Sequence, residues 1–175
     1  GGNGTAENPY EIDSLEDLNM ISDHAGAYYR LTEDIQTNGK INLSVNYFGG
    51  VLDGNGHTIS GLKKPLTVQN AGTIKNLRIV AEFDDDSQNA QGVFAQYNIG
   101  KIQECTVFGT VTGHMGGQGL QEFPKFGGFA GENSGTISGC SSKLNINLVM
   151  PAMKSWVGGI AGMNKGVIEK CISSG

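Results

Sequence analysis

Gly128-Phe129-Ala130-Gly131-Glu132-Asn133-Ser134-Gly135-Thr136-Ile137-Ser138-Gly139-Cys140 is the stretch that decides the fold. Phe129 and Ile137 lie eight residues apart. Asn133 sits four before the isoleucine, Gly135 two before it, and Cys140 three after it. The same frame runs from Leu66 to Ile74, from Phe94 to Ile102 and from Ile160 to Ile168. Its asparagines are Asn70, Asn98, Asn133 and Asn164, and its glycines are Gly72, Gly100, Gly135 and Gly166. Its last position holds Leu77, Cys105, Cys140 or Cys171. The intervals vary: 17 residues from Leu77 to Phe94, 24 from Cys105 to Phe129, 20 from Cys140 to Ile160. A fixed unit with insertions on one side is the pattern of a solenoid.

Each frame is followed by a run of period two, which predicts strands. Leu77, Ile79, Ala81 and Phe83 are expected inward, as are Cys105, Val107, Gly109 and Val111, and Cys140, Ser142, Leu144, Ile146 and Leu148. The frame isoleucine and the Leu or Cys are three apart, an odd step, so the chain turns a corner between them. Stacked coils of strand, corner and strand give an all-β fold, a right-handed parallel β-helix by the usual crossover chirality. The asparagines are expected to stack at one turn of each coil and satisfy backbone groups there, rather than form a polar binding row. Phe48 to Leu62 reads as a degenerate first copy, with Asn55 four before Ile59, Gly56 displaced by one place, and only 15 residues from Ile59 to Ile74.

Upstream, residues 1–9 read as a linker and residues 10–175 as a single domain. Its residues 10–35 form a strand–helix–strand cap, and residues 48–175 form the coils. Tyr10-Glu11-Ile12 is a short strand and Ser14 a helix N-cap with Asp17 completing the box. Leu15, Leu18 and Ile21 form one stripe of a short capping α-helix that Gly26 ends. Tyr28 to Ile35 reads as one strand and residues 36–47 as a loop. The last coil, ending at Gly175, is expected to be an uncovered parallel edge, met by a further coil, a cap or a second copy.

The chain has 175 residues, 28 of them glycine, and a net charge of −5. This charge, with no basic stripe, argues against a nucleic-acid partner. No apolar run approaches a membrane span, and the opening Gly1-Gly2-Asn3-Gly4 is no leader peptide, as expected for a segment of a larger protein. Cys105, Cys140 and Cys171 share one frame position, so they read as small interior residues rather than disulfide partners or metal ligands.

Gly128 to Cys140 resembles the GLUG motif, a repeat of bacterial secreted and surface proteins. Gly159-Ile160-Ala161-Gly162-Met163-Asn164-Lys165-Gly166-Val167-Ile168-Glu169-Lys170-Cys171 is a second copy. The stretch Leu52 to Leu62 resembles the segment that precedes such repeats, and Thr5 to Ile35 resembles their lead-in. The resemblance implies an extracellular or cell-surface β-helical module of the kind found in adhesin-like proteins and beside IgA-specific metallopeptidase domains. It implies host or cell-surface proteins or glycans as partners, beside further domains of the same polypeptide, and it carries no catalytic residue onto this chain.

The chemistry-bearing residues are few. Asp53-Gly54-Asn55-Gly56 has the look of a calcium loop without the distal Glu, and reads better as a tight turn. Asp84, Asp85 and Asp86 read as a solvated loop tip, with Asp84 and Asp86 the weak candidates for a cation such as calcium. The same triplet keeps open a carbohydrate-cleaving alternative, because paired carboxylates hydrolyse glycosidic bonds. His24, His57 and His114 share no register, and no H-E-x-x-H, G-x-S-x-G or P-loop occurs, so no cofactor is expected. Ice binding would want a regular Thr row, of which only Thr106, Thr110 and Thr112 give a local trace. The variable insertions at 84–91, 113–126 and 149–157 fall in one sector of the coil. Asp84, Asp85, Asp86, Gln118, Phe123, Lys125 and Trp156 are therefore the binding candidates, since recognition concentrates on loops held by a rigid scaffold. The expected function is a non-catalytic adhesion or interaction module.

Overall fold

The computed structural model describes residues 1–39, 45–85, 91–114, 124–149 and 155–175. Every strand pairing within them is parallel, and the chain forms a β-helix of stacked coils. Three faces run the length of the stack. A seven-stranded isoleucine sheet has the order Tyr10–Ile12, Tyr28–Leu31, Val51–Asp53, Thr73–Lys75, Lys101–Gln103, Thr136–Ser138 and Val167–Glu169. A six-stranded sheet carries the long strands Arg78–Asp85, Thr106–His114 and Ser141–Val149. A five-stranded sheet carries the asparagines at the ends of Thr67–Asn70, Ala95–Asn98, Ala130–Asn133 and Ala161–Asn164. A fourth, three-stranded sheet of Gln91–Gly92, Lys125–Gly127 and Trp156–Gly158 leads into it.

Like stacks on like. Ile74, Ile102, Ile137 and Ile168 form one column, continued upstream by Leu52, Tyr29 and Tyr10. Ile74, Ile102 and Ile137 are fully buried, each burial contributing about 1.5–3 kcal/mol. Phe94 and Phe129 stack with ring centroids 4.9 Å apart. The alternation of the long strands holds: Ile79, Val107 and Ser142 share one interior row, and Phe83, Val111 and Ile146 another.

Asn70, Asn98 and Asn133 each donate an amide N–H to the next coil. Asn70 Nδ2 reaches Asn98 Oδ1 at 2.8 Å, Asn98 reaches Asn133 at 2.7 Å, and Asn133 reaches Asn164 at 2.7 Å. At the same corner the backbone N–H groups of two residues share the carbonyl of the coil before. Ser134 and Gly135 donate to Asn98 O at 2.8 and 3.0 Å. The coils approach so closely here that a Cβ on Gly135 would lie 2.1 Å from Gly100 O, and one on Gly72 would lie 2.1 Å from Gly50 O. The glycine column is therefore a packing requirement of the stack.

At the corner into the long strands the frame cysteines are free thiols. Cys105 Sγ donates to Gln103 O at 3.1 Å and Cys140 Sγ to Ser138 O at 3.2 Å, so they also serve as weak donors to corner carbonyls. Burial pushes the Cys105 thiol well above the ordinary range, which keeps it protonated and inert.

The first copy of the frame lies elsewhere than the sequence predicts. Leu52, not Ile59, stacks on Ile74, and Phe48 occupies the asparagine position beside Asn70. Ile59 belongs to the next sheet, beside Ile79. The step from Leu52 to Ile74 is 22 residues (74 minus 52), so no coil is unusually short. Because Phe48 has no amide to give, Asn70 Oδ1 is buried without a donor.

Two segments also differ upstream. The run Tyr28 to Ile35 is two strands, Tyr28–Leu31 and Ile35–Gln36, in different sheets around a corner. Part of the expected loop at 36–47 is strand, since Val45–Phe48 pairs with Thr67–Asn70.

The cap is formed by Leu15–Asn19 and a tighter turn of helix, Met20–His24. Ser14 caps it as expected: the Asp17 N–H donates to Ser14 Oγ at 3.2 Å, and Ser14 Oγ donates to Asp17 Oδ2 at 3.0 Å. Leu18 and Ile21 are buried. The helix ends on Ala25 at φ −59°, and Gly26 takes no left-handed conformation. Ala25 O accepts the N–H groups of Gly49 and Gly50, both at 2.9 Å, so it occupies the place an asparagine holds in later coils. Residues 1–9 are tied to the first coil, where Tyr28 N–H donates to Gly4 O at 3.0 Å.

Candidate functional site

Stacking brings the ends of the three long strands together. Asp85, Gly113 and Leu148 lie side by side, as do Asp84, Thr112 and Asn147. Across the insertions, Lys125 pairs with Trp156 and Gln91 with Phe126. The three variable segments therefore leave and re-enter the stack in one sector, as the spacing predicts. Asp86, Gln118 and Phe123 lie outside the described residues.

The outer face of the long strands forms rows across the coils. Glu82, Thr110 and Asn145 are all exposed and make one row. Asp84, Thr112 and Asn147 make the next, with Asp84 and Asn147 exposed. Lys143 Nζ lies 5.9 Å from the centroid of the Phe108 ring. These two rows are polar, with carboxylates that accept hydrogen bonds and amides that both donate and accept them. The sequence reading places its binding candidates on the variable insertions. The outward positions Glu82, Thr110, Asn145 and Asn147 were already legible in the same period-two pattern.

Lys125 is not a free loop cation. It opens the strand Lys125–Gly127, is only 9% exposed, and its Nζ lies 2.9 Å from Glu132 Oε2. Glu132 Oε1 also takes Lys165 Nζ at 2.6 Å. The Lys165 and Lys125 ammonium groups hold the Glu132 carboxyl below the usual carboxylate range. The bend from the lead-in strand to the asparagine strand brings Lys125 back over Glu132, seven residues on, a contact that spacing alone does not reveal. Trp156 also belongs to a strand, half-buried, its N–H on Pro124 O at 3.0 Å.

Asp53-Gly54-Asn55-Gly56 is a tight turn. The Asn55 N–H donates to Asp53 Oδ1 at 2.9 Å, and Asn55 and Gly56 take φ of 50° and 82°. Among the described residues no three His, Cys, Asp or Glu side chains gather as a metal site requires. No helix of the described residues is long and apolar enough to cross a membrane.

No family model matches the chain. It is similar to a halomucin from Haloquadratum walsbyi, 34% identical over 65% of this chain, and it spans about 2% of that protein's length. Among solved structures it is similar to a Bacteroides ovatus protein named as a candidate immunoglobulin A1 protease. The TM-score is 0.60 at 19% identity, covering 98% of this chain and 77% of that one, so the two share the same β-helical fold.

Proposed function

We propose that the domain is a non-catalytic adhesion or interaction module of an extracellular, cell-surface polypeptide, with the outer face and loop-bearing edge of the long strands as its contact surface. One observation carries this reading. A rigid ladder of buried asparagines and isoleucines holds the rows Glu82–Thr110–Asn145 and Asp84–Thr112–Asn147 in register beside the variable insertions. Function concentrates where a fixed scaffold presents variable loops. The similarity to a small segment of a halomucin supports a module within a long surface polypeptide. The GLUG-like frame and the fold shared with the Bacteroides ovatus protein support the same setting, as a bacterial or similar surface module. Its partner is a host or cell-surface protein or glycan, and no cofactor is required.

The carbohydrate-cleaving alternative rests on the acidic triplet that begins at Asp84, which shares one face of its strand with the carboxylate of Glu82. A glycan array and immobilised mucin-type glycoproteins separate the two readings. Retention without product, weakened at least tenfold by Asp84→Ala with Asn147→Ala, supports the interaction module. Release of shortened oligosaccharides, abolished by Asp84→Ala, replaces it with the enzyme.

A further inference from the structure

The first coils carry a second surface, on the isoleucine sheet rather than on the long strands. On the outside of the isoleucine sheet, Tyr28 stands in a column with Val51 and Thr73, and Arg30 in a column with Asp53 and Lys75. The N-terminal segment lies against this face. The groove between them has a volume of about 380 Å³ and is lined by Glu7, Pro9, Tyr28, Arg30, Asp53 and Lys75, among others. That volume falls at the small end of the ~300–1,000 Å³ typical of small-molecule sites, room for one or two sugar-sized rings.

Its polar groups are fixed before any ligand arrives. Arg30 Nη2 donates to Asn55 Oδ1 at 2.9 Å. Asp53 Oδ1 accepts from the Asn55 N–H at 2.9 Å and from Asn76 Nδ2 at 3.1 Å, while Oδ2 faces Lys75 Nζ at 3.3 Å. Burial alone would raise the Asp53 carboxyl. The Asn55 and Asn76 hydrogen bonds and the Lys75 charge outweigh it and hold the group ionised. Tyr28 is 39% exposed and lines the groove, and its neighbours in the column are the smaller Val51 and Thr73.

A partly exposed aromatic ring beside preorganised acceptors and donors suits a ring with apolar C–H faces and vicinal hydroxyls. The charges balance, Arg30 and Lys75 against Asp53 and Glu7, so no net field selects an anion or a cation. We propose that this groove binds a neutral sugar ring, stacked on Tyr28, with its hydroxyls shared among Asp53, Arg30 and Lys75. The site stands whether or not the loop edge binds a partner.

The test is a titration of the ¹⁵N-labelled domain with neutral di- and trisaccharides of glucose, galactose, mannose and N-acetylhexosamines, beside tri-galacturonate. A neutral member should shift the amide signals of Tyr28, Arg30 and Asp53. Tyr28→Ala should weaken it about tenfold without lowering Tm, and Tyr28→Phe should keep it. The proposal is overturned if no neutral saccharide shifts these signals, if only the acidic trimer does, or if Tyr28→Ala leaves the affinity unchanged.

Discussion

The first and the last described coils carry the same architecture in opposite states. At the first coil, a helix lies across the stack, Leu18 and Ile21 are buried, and Ala25 takes the corner hydrogen bonds of an asparagine. At the last described coil the frame is intact, yet Ile168 is 36% exposed where Ile137 in the coil before is fully buried. Ile172 is 69% exposed and Val157 and Val167 about half exposed. Position in the frame alone does not bury a residue; the coil on its far side does. Stability is therefore held by the interfaces between coils, as in repeat proteins generally.

The largest effect should separate two equivalent isoleucines. Ile137→Asp places an unpaired charge between two coils and should cost at least ~4 kcal/mol, enough to unfold the domain. Ile168→Asp can reach water and should lower Tm by only a few degrees. Thermal melts of both variants measure this, and equal losses would mean that the last coil is as closed as the middle ones.

The asparagine ladder sharpens the same contrast at smaller scale. Asn98→Leu leaves buried Asn133 Oδ1 without its donor and Asn70 Nδ2 with the Lys101 carbonyl alone, at 3.2 Å. The cost should be about 1–3 kcal/mol. Asn164→Leu leaves Asn133 Nδ2 with the carbonyls of Gly135 and Val167, and should cost less than about 1 kcal/mol. Urea titrations of the pair test the order, which reversal would break.

The smallest effect concerns the two ion pairs of Glu132, one with Lys125 in its own coil and one with Lys165 in the last coil. Glu132 has a folded pKa below its unfolded value because Lys165 and Lys125 bond it. Its contribution is therefore complete above the unfolded value of about 4.3 and is lost as pH falls through the lowered folded value. Tm of the parent minus Tm of Glu132→Gln should be flat from pH 7 to about 5 and shrink below that. Salt should reduce it mainly on the exposed Lys165 side. A difference that grows on acidification would assign the Glu132 contacts no stabilising role.

Much of this molecule was legible in the sequence because repetition makes each coil a control for the next. Ile, Asn, Gly and Cys at fixed offsets fix column, ladder, corner and strand. The reading failed where the ladder ends. Phe48 stands at the asparagine position, so the true first frame of Phe48, Gly50 and Leu52 carries no amide to reveal it. Asn55, in a tight turn four residues before Ile59, imitated it instead. The site was less legible for a different reason. Lys125 was read as a loop residue because its partner Glu132 is reached only through a bend, and the Tyr28 groove exists only once three coils lie side by side. Contacts between coils depend on register, and register is set by insertions whose lengths vary.

The ladder has one more property. Every amide hydrogen bond from Asn70 to Asn164 points the same way, from an earlier residue to a later one. The chain is synthesised in that order. A coil that has just formed offers an unused N–H, and the next asparagine to emerge brings the oxygen that fits it. The cap, with Ala25 in the first place and Phe48 in the second, gives this sequence a beginning. The molecule is thus a vector as well as a stack, each rung a template for its successor, and its growth during translation can proceed by one repeated step in one direction.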